Sequence, residues 1–156
     1  MAKVILICGR ICGGKTTYAR KLRDRLSAVE LSSDELMLRL FPMQLGDAHE
    51  ETAARVNGYL MEKAAAIALA GANVILDWGF WRAGARRSAT DFFRSRGIDV
   101  EWHYVGTTDA QWRENIRRRN ASLKDGEYYV DDNLAKKCTD AFQMPDRSEM
   151  DVWYEY

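Results

Sequence analysis

A glycine-rich run near the start of the sequence has the residue types and the spacing that bind phosphate groups. Residues 9–16 read GRICGGKT and match the pattern G-x-x-x-x-G-K-[ST] at every fixed position. Glycine tolerates a positive φ and has no side chain to hold an anion away from the backbone N–H groups. We expect Lys15 to bridge the β- and γ-phosphates of a nucleotide and Thr16 to ligate Mg²⁺. The alternative is a turn that only joins a strand to a helix.

Seven residues are predicted to hold the nucleotide phosphates. They are Gly9, Cys12, Gly13, Gly14, Lys15, Thr16 and Thr17. Cys12 is interpreted as a small loop residue, and a reactive thiol near a helix N-terminus is the alternative. The sequence contains no Asn-Lys-x-Asp motif for reading guanine, so ATP is preferred to GTP. ATP and Mg²⁺ are therefore the predicted cofactors.

Strand-like and helix-like segments alternate along the chain, and together they would position this loop. Strands are predicted at residues 3–8, 29–31, 73–77 and 100–105, with an edge strand within 151–156. Helices are predicted at residues 15–26, 32–40, 47–70, 83–96, 108–120 and 131–142. This alternation predicts an α/β fold with a parallel sheet that is covered by helices on both faces.

Helix boundaries are marked by capping patterns. The three patterns at helix starts are Ser32 with Glu35, Asp47 with Glu50, and Thr108 with Gln111. A Phe41-Pro42 pair ends the helix that follows Ser32.

Polar residues and glycines follow the predicted strands at the edge where ligands bind in open parallel sheets. Gly9, Asp34, Asp77 and Gly106 each end or follow a strand, and we expect them around one crevice. Asp77 closes an apolar strand, the usual place of an acid that supports Mg²⁺ or its water shell, and a structural cap is the alternative. A dedicated ATPase would carry a Glu after this Asp to activate water. Trp78 stands there instead, which favours phosphoryl transfer over hydrolysis.

Length and composition limit the classes of protein that the sequence fits. The 156 residues fit one domain, 1–156. Lysine plus arginine and aspartate plus glutamate number 23 each, so the overall charge gives no argument for a nucleic-acid or membrane partner. Cys8, Cys12 and Cys138 lack the paired spacing of a disulfide framework or a zinc site. With no leader or apolar span in the sequence, a cytoplasmic monomer or homodimer is expected.

Nearly the whole chain resembles the small P-loop kinases grouped as AAA-type ATP-binding proteins. These are related to polynucleotide 5′-hydroxyl kinases, chloramphenicol phosphotransferase and zeta-toxin-like kinases. The resemblance rests on the phosphate loop and on segments 31–36, 74–82, 113–120 and 142–145. It implies a three-layer P-loop NTPase/kinase fold with a central parallel sheet of four to five strands and a small helical lid at about residues 113–130.

The resemblance assigns the role of general base to Asp34, because an Asp after the second strand accepts the proton of the attacking hydroxyl in such kinases. A base there would face the γ-phosphate across the crevice. The alternative is that Asp34 only serves a helix N-terminus, where the macrodipole favours any acid, while Glu35 is a capping residue. Met37 stands where many relatives carry an Arg that holds the acceptor, which disfavours a nucleic-acid 5′ end. In some relatives the counterpart of Asp77 contacts the acceptor instead of supporting Mg²⁺.

A basic helix and the polar stretch after it resemble the lid of small kinases. Arg113 and Arg117 lie one helical turn apart and share a face. The resemblance implies that they close over the phosphates and stabilise the charge of the transition state, with Arg119 as a third candidate. A solvated charged face or a nucleic-acid contact is the alternative.

Two aromatic groups have both a binding interpretation and a core interpretation. Phe142 begins segment 142–145, which resembles the loop that flanks adenine, and Phe142 could equally end a helix in the core. A second group follows the third strand and could wall an acceptor pocket or pack in the core. It consists of Trp78, Phe80, Trp81, Arg82 and Arg86.

The sequence therefore predicts an ATP-dependent phosphotransferase in which Asp34 activates a hydroxyl of a small-molecule acceptor. One alternative is a nucleic-acid or nucleotide-sugar kinase with toxin-like activity, although the balanced charge disfavours a long polyanion. The other is a non-catalytic, ATP-dependent switch or binding module. A base aimed at the γ-phosphate favours an enzyme over a switch, because a switch has no acceptor hydroxyl to deprotonate.

Overall fold

A parallel sheet forms the centre of the protein, whose computed structural model describes residues 1–41, 45–124 and 127–156. Within these residues the sheet has five strands in the order β2-β3-β1-β4-β5, and all neighbouring pairs are parallel. The strands are β1 Lys3–Cys8, β2 Val29–Leu31, β3 Val74–Gly79, β4 Asp99–Gly106 and β5 Val152–Glu155. The predicted parallel sheet of four to five strands is confirmed.

Six helices of the described residues connect these strands. They are α1 Lys15–Leu26, α2 Ser33–Leu40, α3 His49–Leu69, α4 Ala83–Arg94, α5 Asp109–Ala121 and α6 Asp132–Ala141. Across the described ranges, no helix has the length and apolar character needed to cross a membrane. Pro42, part of the predicted helix end, and residues 125–126 of the predicted lid lie outside the described residues.

Residues 4–8 of the central strand β1 are fully buried because helices cover both faces of the sheet. Successive side chains of a strand point to opposite faces. Leu6 and its same-face neighbours pack with residues of α3 and α4, whereas Ile5 and Ile7 pack with Ala19 and Leu22 of α1. The fold is therefore a three-layer α/β fold, and the loop that leaves β1 starts from a rigid centre.

Local capping signals are borne out at two helix starts and wrong at a third. The Ser32 side chain accepts a hydrogen bond from the N–H of Glu35, and Thr108 accepts one from the N–H of Gln111. Asp47 instead lies in a short 3₁₀ turn, Gly46–Ala48, and α3 begins after it with no side-chain cap. The acidic pattern around Asp47 marks the entry turn rather than the first helical residue.

Two further boundaries differ from the prediction. Strand β3 continues past Asp77 to Gly79, because a register shift after Ile7 lets Gly79 pair with Cys8. Helix α4 ends at Arg94 rather than residue 96, and the chain turns through Gly97, whose φ is 69°. The longer β3 brings the residues after Asp77 beside the loop that follows β1.

Candidate active site

The glycine-rich run forms the loop between β1 and the N-terminus of α1. Cys12 and Gly14 have φ values of 54° and 88°, and the N–H of Gly13 donates to the carbonyl of Arg10 at 3.1 Å. The N–H of Gly9 donates to the carbonyl of Gly79 at 3.1 Å, which ties the loop to β3. Left-handed turns at a helix N-terminus gather backbone N–H groups around an anion. The loop therefore has the conformation of a phosphate cradle.

All three glycines of the loop are closely approached, and a Cβ on Gly13 would lie 2.9 Å from the Arg10 carbonyl oxygen. A Cβ on Gly9 would overlap the backbone carbonyl oxygen of Val105, and a Cβ on Gly14 would overlap the ring and hydroxyl of Tyr156. Tyr156 Oη also donates to the Gly14 carbonyl at 2.9 Å. The sequence pattern did not indicate the Tyr156 contact, because the tyrosine lies 142 positions from Gly14.

Lys15 lies at the mouth of the loop with its side chain half-buried. Its Nζ donates to the carbonyl of Arg10 at 2.8 Å. Desolvation lowers the pKa of Lys15, and the charges of Asp77 and then Asp34 oppose that change. A cation with these neighbours is placed to neutralise an incoming phosphate.

Thr16 and Asp77 form a hydroxyl–carboxylate pair next to Lys15. Thr16 Oγ1 donates to Asp77 Oδ2 at 3.0 Å. Asp77 is only 4% exposed, and burial raises its pKa against the opposing effects of Lys15 and Thr16. The described part of the chain contains no cluster of three or more His, Cys, Asp and Glu side chains suited to a metal. Mg²⁺ prefers oxygen ligands, and in nucleotide sites the phosphate oxygens complete its coordination. The Thr16 hydroxyl and the Asp77 carboxylate therefore fit Mg²⁺ bound with a nucleotide.

Asp34 is exposed in the first turn of α2. Its charge contributes to raising the pKa of Asp77 and opposes the lowered pKa of Lys15. The neighbouring Glu35 is occupied differently, because its carboxylate pairs with Arg39 at 2.9 Å. Buried Ser33 donates to Asn57 of α3 and fixes the start of α2. Asp34 is thus the acid of this turn that is electrostatically coupled to the loop.

One face of α5 contacts the phosphate loop. Trp112 Nε1 donates to the carbonyl of Ile11 at 2.7 Å, and Asn115 Nδ2 donates to the carbonyl of Cys12 at 3.0 Å. Arg119 Nη1 contacts the Cys12 sulfur at 3.7 Å, and its buried Nε has no hydrogen-bond partner among the described residues. Sequence reasoning missed Trp112 and Asn115, whose only signal was their i, i+3 spacing beside the arginines.

Arg113 and Arg117 lie on a different face of α5. They line a cavity of about 660 Å³ between α5 and α6, and Arg117 Nη2 pairs with Glu114 at 2.7 Å. Hydrogen bonds from Arg117 and Arg118 lower the pKa of Glu114 to about 2. The structure does not bring Arg113 and Arg117 to the loop that Arg119 contacts, and their role over the phosphates stays a prediction.

The residues after Asp77 divide between core and loop. Phe80 is 5% exposed, with a φ of 44°, and its ring lies 5.0 Å from that of Trp78 and 5.0 Å from that of Trp102. Trp81 Nε1 donates to the carbonyl of Gly9 at 3.1 Å. Buried Arg86 donates to the Phe80 carbonyl at 3.1 Å. Phe80 and Arg86 therefore follow the core interpretation, and Trp81 supports the phosphate loop.

Segment 142–145 packs against the same turn. The N–H of Gln143 donates to the carbonyl of Trp81 at 2.8 Å, and Gln143 Oε1 accepts from the N–H of Ala83 at 2.8 Å. Phe142 is partly buried against the main core cluster. A role of this segment at adenine stays a prediction.

The fold and the site define a P-loop nucleotide-binding protein of kinase-like architecture. Residues 4–145 match the model of the AAA domain family, and the chain belongs to that family. The family predicted from the sequence is thereby confirmed. No curated protein matches this sequence.

Solved structures with the same fold are distant in sequence. Chaetomium thermophilum Kti12 in complex with ADP-AlF3 is 16% identical with a TM-score of 0.75, covering 98% of this chain and 88% of that chain. A sugar kinase from Janibacter sp. HTCC2649 is 15% identical with a TM-score of 0.66, covering 99% and 86%. The Mycobacterium tuberculosis APS kinase CysC in complex with AMPPNP and APS is 19% identical with a TM-score of 0.68, covering 99% and 88%. At these identities the likeness establishes the fold.

Proposed function

We propose that the protein transfers the γ-phosphoryl group of Mg-ATP to a hydroxyl of a small-molecule acceptor. The observation that carries this proposal is the electrostatic coupling of Lys15 and Asp77, which lie at the phosphate loop, to the exposed carboxylate of Asp34. A nucleotide-binding site alone needs the first two residues. The exposed carboxylate of Asp34 has a use when a hydroxyl group must lose its proton.

The nucleotide would be held by the loop and by the N-terminus of α1. The backbone N–H groups of residues 9–17, apart from those of Gly9 and Gly13 that donate to Gly79 and Arg10, would neutralise the phosphates together with the Lys15 ammonium group. Thr16 and Asp77 would hold Mg²⁺, which supplies charge neutralisation on the phosphate oxygens when it is bound. The Thr16–Asp77 hydrogen bond supports this assignment because it already aligns the two oxygen groups.

Asp34 would act as the general base. The acceptor O–H proton passes to the Asp34 carboxylate, the acceptor oxygen forms a bond to the γ-phosphorus, and ADP leaves with the electrons of the broken P–O bond. The exposure of Asp34 supports this role, because an acceptor from solvent can reach it. Trp78 is partly buried and follows Asp77 at the position where a dedicated ATPase would carry a Glu to activate water.

Arginines of α5 would stabilise charge on the transferred group. Arg119 already touches the phosphate loop at Cys12, and its buried Nε is without a partner in the described residues. A guanidinium group with a buried, unpartnered N–H gains most from an anionic partner. Arg113 and Arg117 would join it only if α5 turns when the nucleotide binds.

Acceptor-dependent release of ADP tests the proposal. The protein is incubated with Mg-ATP and a panel of nucleosides, sugars, antibiotics and 5′-hydroxyl oligonucleotides. Release that rises with one class of small acceptor supports the proposal, and release that rises only with oligonucleotides favours a nucleic-acid kinase instead. If ATP binds and no acceptor raises its turnover, the protein is a nucleotide-dependent switch and the proposal fails.

A further inference from the structure

Helix α5 holds two carbonyl oxygens of the phosphate loop through side-chain donors. Trp112 donates to the Ile11 carbonyl at 2.7 Å, and Asn115 donates to the Cys12 carbonyl at 3.0 Å. We infer that Trp112 and Asn115 are positioning residues that keep the phosphate loop in its anion-binding conformation. The inference rests on the proposed function for its effect on turnover, but nucleotide binding tests it separately.

The geometry of the peptide bond explains why these contacts matter. In a trans peptide the C=O and N–H groups point in opposite directions. Because the Ile11 carbonyl faces α5, the N–H of Cys12 is directed away from that helix. The Cys12 carbonyl also faces α5, and the N–H of Gly13 accordingly turns back to the Arg10 carbonyl at 3.1 Å. Carbonyl oxygens held at α5 cannot turn into the cradle, where they would repel phosphate.

The loop needs such support because of its backbone conformation. Cys12 has a φ of 54°, in the left-handed region that residues with a Cβ rarely adopt. The hydrogen bond from Asn115 ends on the carbonyl of this same residue. A strained residue persists when its surroundings fix it, and Asn115 is one of the groups that fix Cys12.

Neighbouring side chains set the orientation of both donors. Gln111 Nε2 donates to Asn115 Oδ1 at 2.9 Å, so the amide NH₂ group of Asn115 is the end that faces the loop. The Arg10 guanidinium lies 4.1 Å from the centre of the Trp112 ring and is itself paired with Asp109 at 2.8 Å. Contacts within the protein therefore align both donors with the loop.

Substitutions that remove a hydrogen-bond donor, or replace it with an acceptor, test the inference most sharply. Asn115→Asp keeps the shape of the side chain but turns a carboxylate oxygen toward the Cys12 carbonyl, and Asn115→Ala only removes the donor. Trp112→Phe removes the indole N–H and keeps an aromatic ring for Arg10. The dissociation constant of Mg-ADP is measured by calorimetry. We expect about five- to tenfold weaker binding for Asn115→Ala and Trp112→Phe, and a larger loss for Asn115→Asp.

The matched control is Arg118→Ala, since Arg118 is exposed on α5 and pairs with Glu114 at 3.0 Å. It should bind Mg-ADP like the parent. In acceptor assays, the Asn115 variants should show a higher KM for ATP with a much smaller change in kcat, a split that general destabilisation would not give. If Asn115→Asp fails to fold, Trp112→Phe carries the test.

Parent-like affinity in both Asn115→Asp and Trp112→Phe would overturn the inference, as would an equal loss in Arg118→Ala. If only the proposed function is wrong, a different set of results is expected. In that case the variants would still weaken Mg-ADP binding, while the parent protein would bind nucleotide and turn over no acceptor.

Discussion

Thr16 Oγ1 lies 3.0 Å from Asp77 Oδ2, although 61 positions separate the two residues in the chain. The contact joins the first residues of α1 to strand β3, so the phosphate loop and the acidic strand end form one unit. Burial raises the pKa of Asp77. Nearby cations and hydrogen-bond donors are therefore needed to stabilise its charged carboxylate form. Lys15 and Thr16 supply these partners.

Thr16→Val should weaken the Mg²⁺-dependent part of nucleotide affinity, because valine keeps the shape of threonine and removes its oxygen. We expect about a tenfold loss for ADP with Mg²⁺ and little change for ADP with a chelator. Calorimetric titrations under both conditions measure the difference, with Thr139→Val on the exposed face of α6 as the control. An unchanged Mg²⁺ enhancement in Thr16→Val would contradict the metal role.

Asp34→Asn should abolish acceptor-dependent turnover and leave ATP affinity near that of the parent. The amide cannot accept the hydroxyl proton as a carboxylate does, whereas the phosphate contacts of the loop remain. Glu35→Gln is the matched control, because Glu35 is the next residue and its carboxylate is engaged with Arg39. Steady-state kinetics and ATP binding are measured for both variants. Parent-like turnover in Asp34→Asn would leave Asp34 as a helix-terminal residue only.

Gly9→Ala should destabilise the protein, since the new Cβ would overlap the Val105 carbonyl and the buried β1 cannot move to relieve the overlap. We expect a loss of about 1–3 kcal/mol in the free energy of unfolding. Gly58→Ala, in the interior of α3 with open space around it, should instead gain about 0.5–1 kcal/mol. Denaturant unfolding of both variants checks the contrast, and equal stabilities would show that the close approach at Gly9 is not maintained.

His103 should make the stability of the folded protein depend on pH below pH 6.5. Its ring nitrogens contact Tyr18 and Glu101 at 2.7 Å each, and Lys3 and Asp151 also act on it. Burial lowers the pKa of His103 from its ordinary 6.5, in spite of the Glu101 carboxylate. The unfolded chain therefore takes up the proton first, so the stabilisation is complete above pH 6.5 and is lost as the pH falls toward the folded-state pKa.

Unfolding free energies at several pH values between 5 and 8 measure this effect. The parent should lose stability on acidification through that range, and His103→Gln should show a flatter profile there. Parallel profiles for the two proteins would mean that His103 does not carry the dependence.

Most of the scaffold could be predicted because its signals are local. The apolar run of β1, the phosphate-loop motif and the capping residues Ser32 and Thr108 each specify structure within a few positions. The end of β3 could not be placed, because its last pairing depends on a register shift against β1. The helix start predicted at Asp47 was wrong for a related reason. Acidic residues are favoured at the start of a 3₁₀ turn as well as at the start of an α-helix.

Residues of the candidate site could be predicted where a sequence motif or a strand end indicates their chemical role. Lys15, Thr16 and Asp77 follow a motif and a strand end, and the structure brings them together. Trp112 and Asn115 could not be found in this way, because their partners lie more than a hundred positions earlier in the chain. Charge, helical spacing and the resemblance to a kinase lid drew attention to Arg113 and Arg117, whereas the packing of α5 determines which face contacts the loop.

The most direct test of the account follows the γ-phosphate itself. ATP labelled at the γ position is incubated with the protein and the acceptor that most raises ADP release, and the products are separated. The account predicts that the label appears on the acceptor in the parent protein and stays on ATP in Asp34→Asn. Label released only as inorganic phosphate, or label retained on ATP with every acceptor, would contradict phosphoryl transfer as the function of this site.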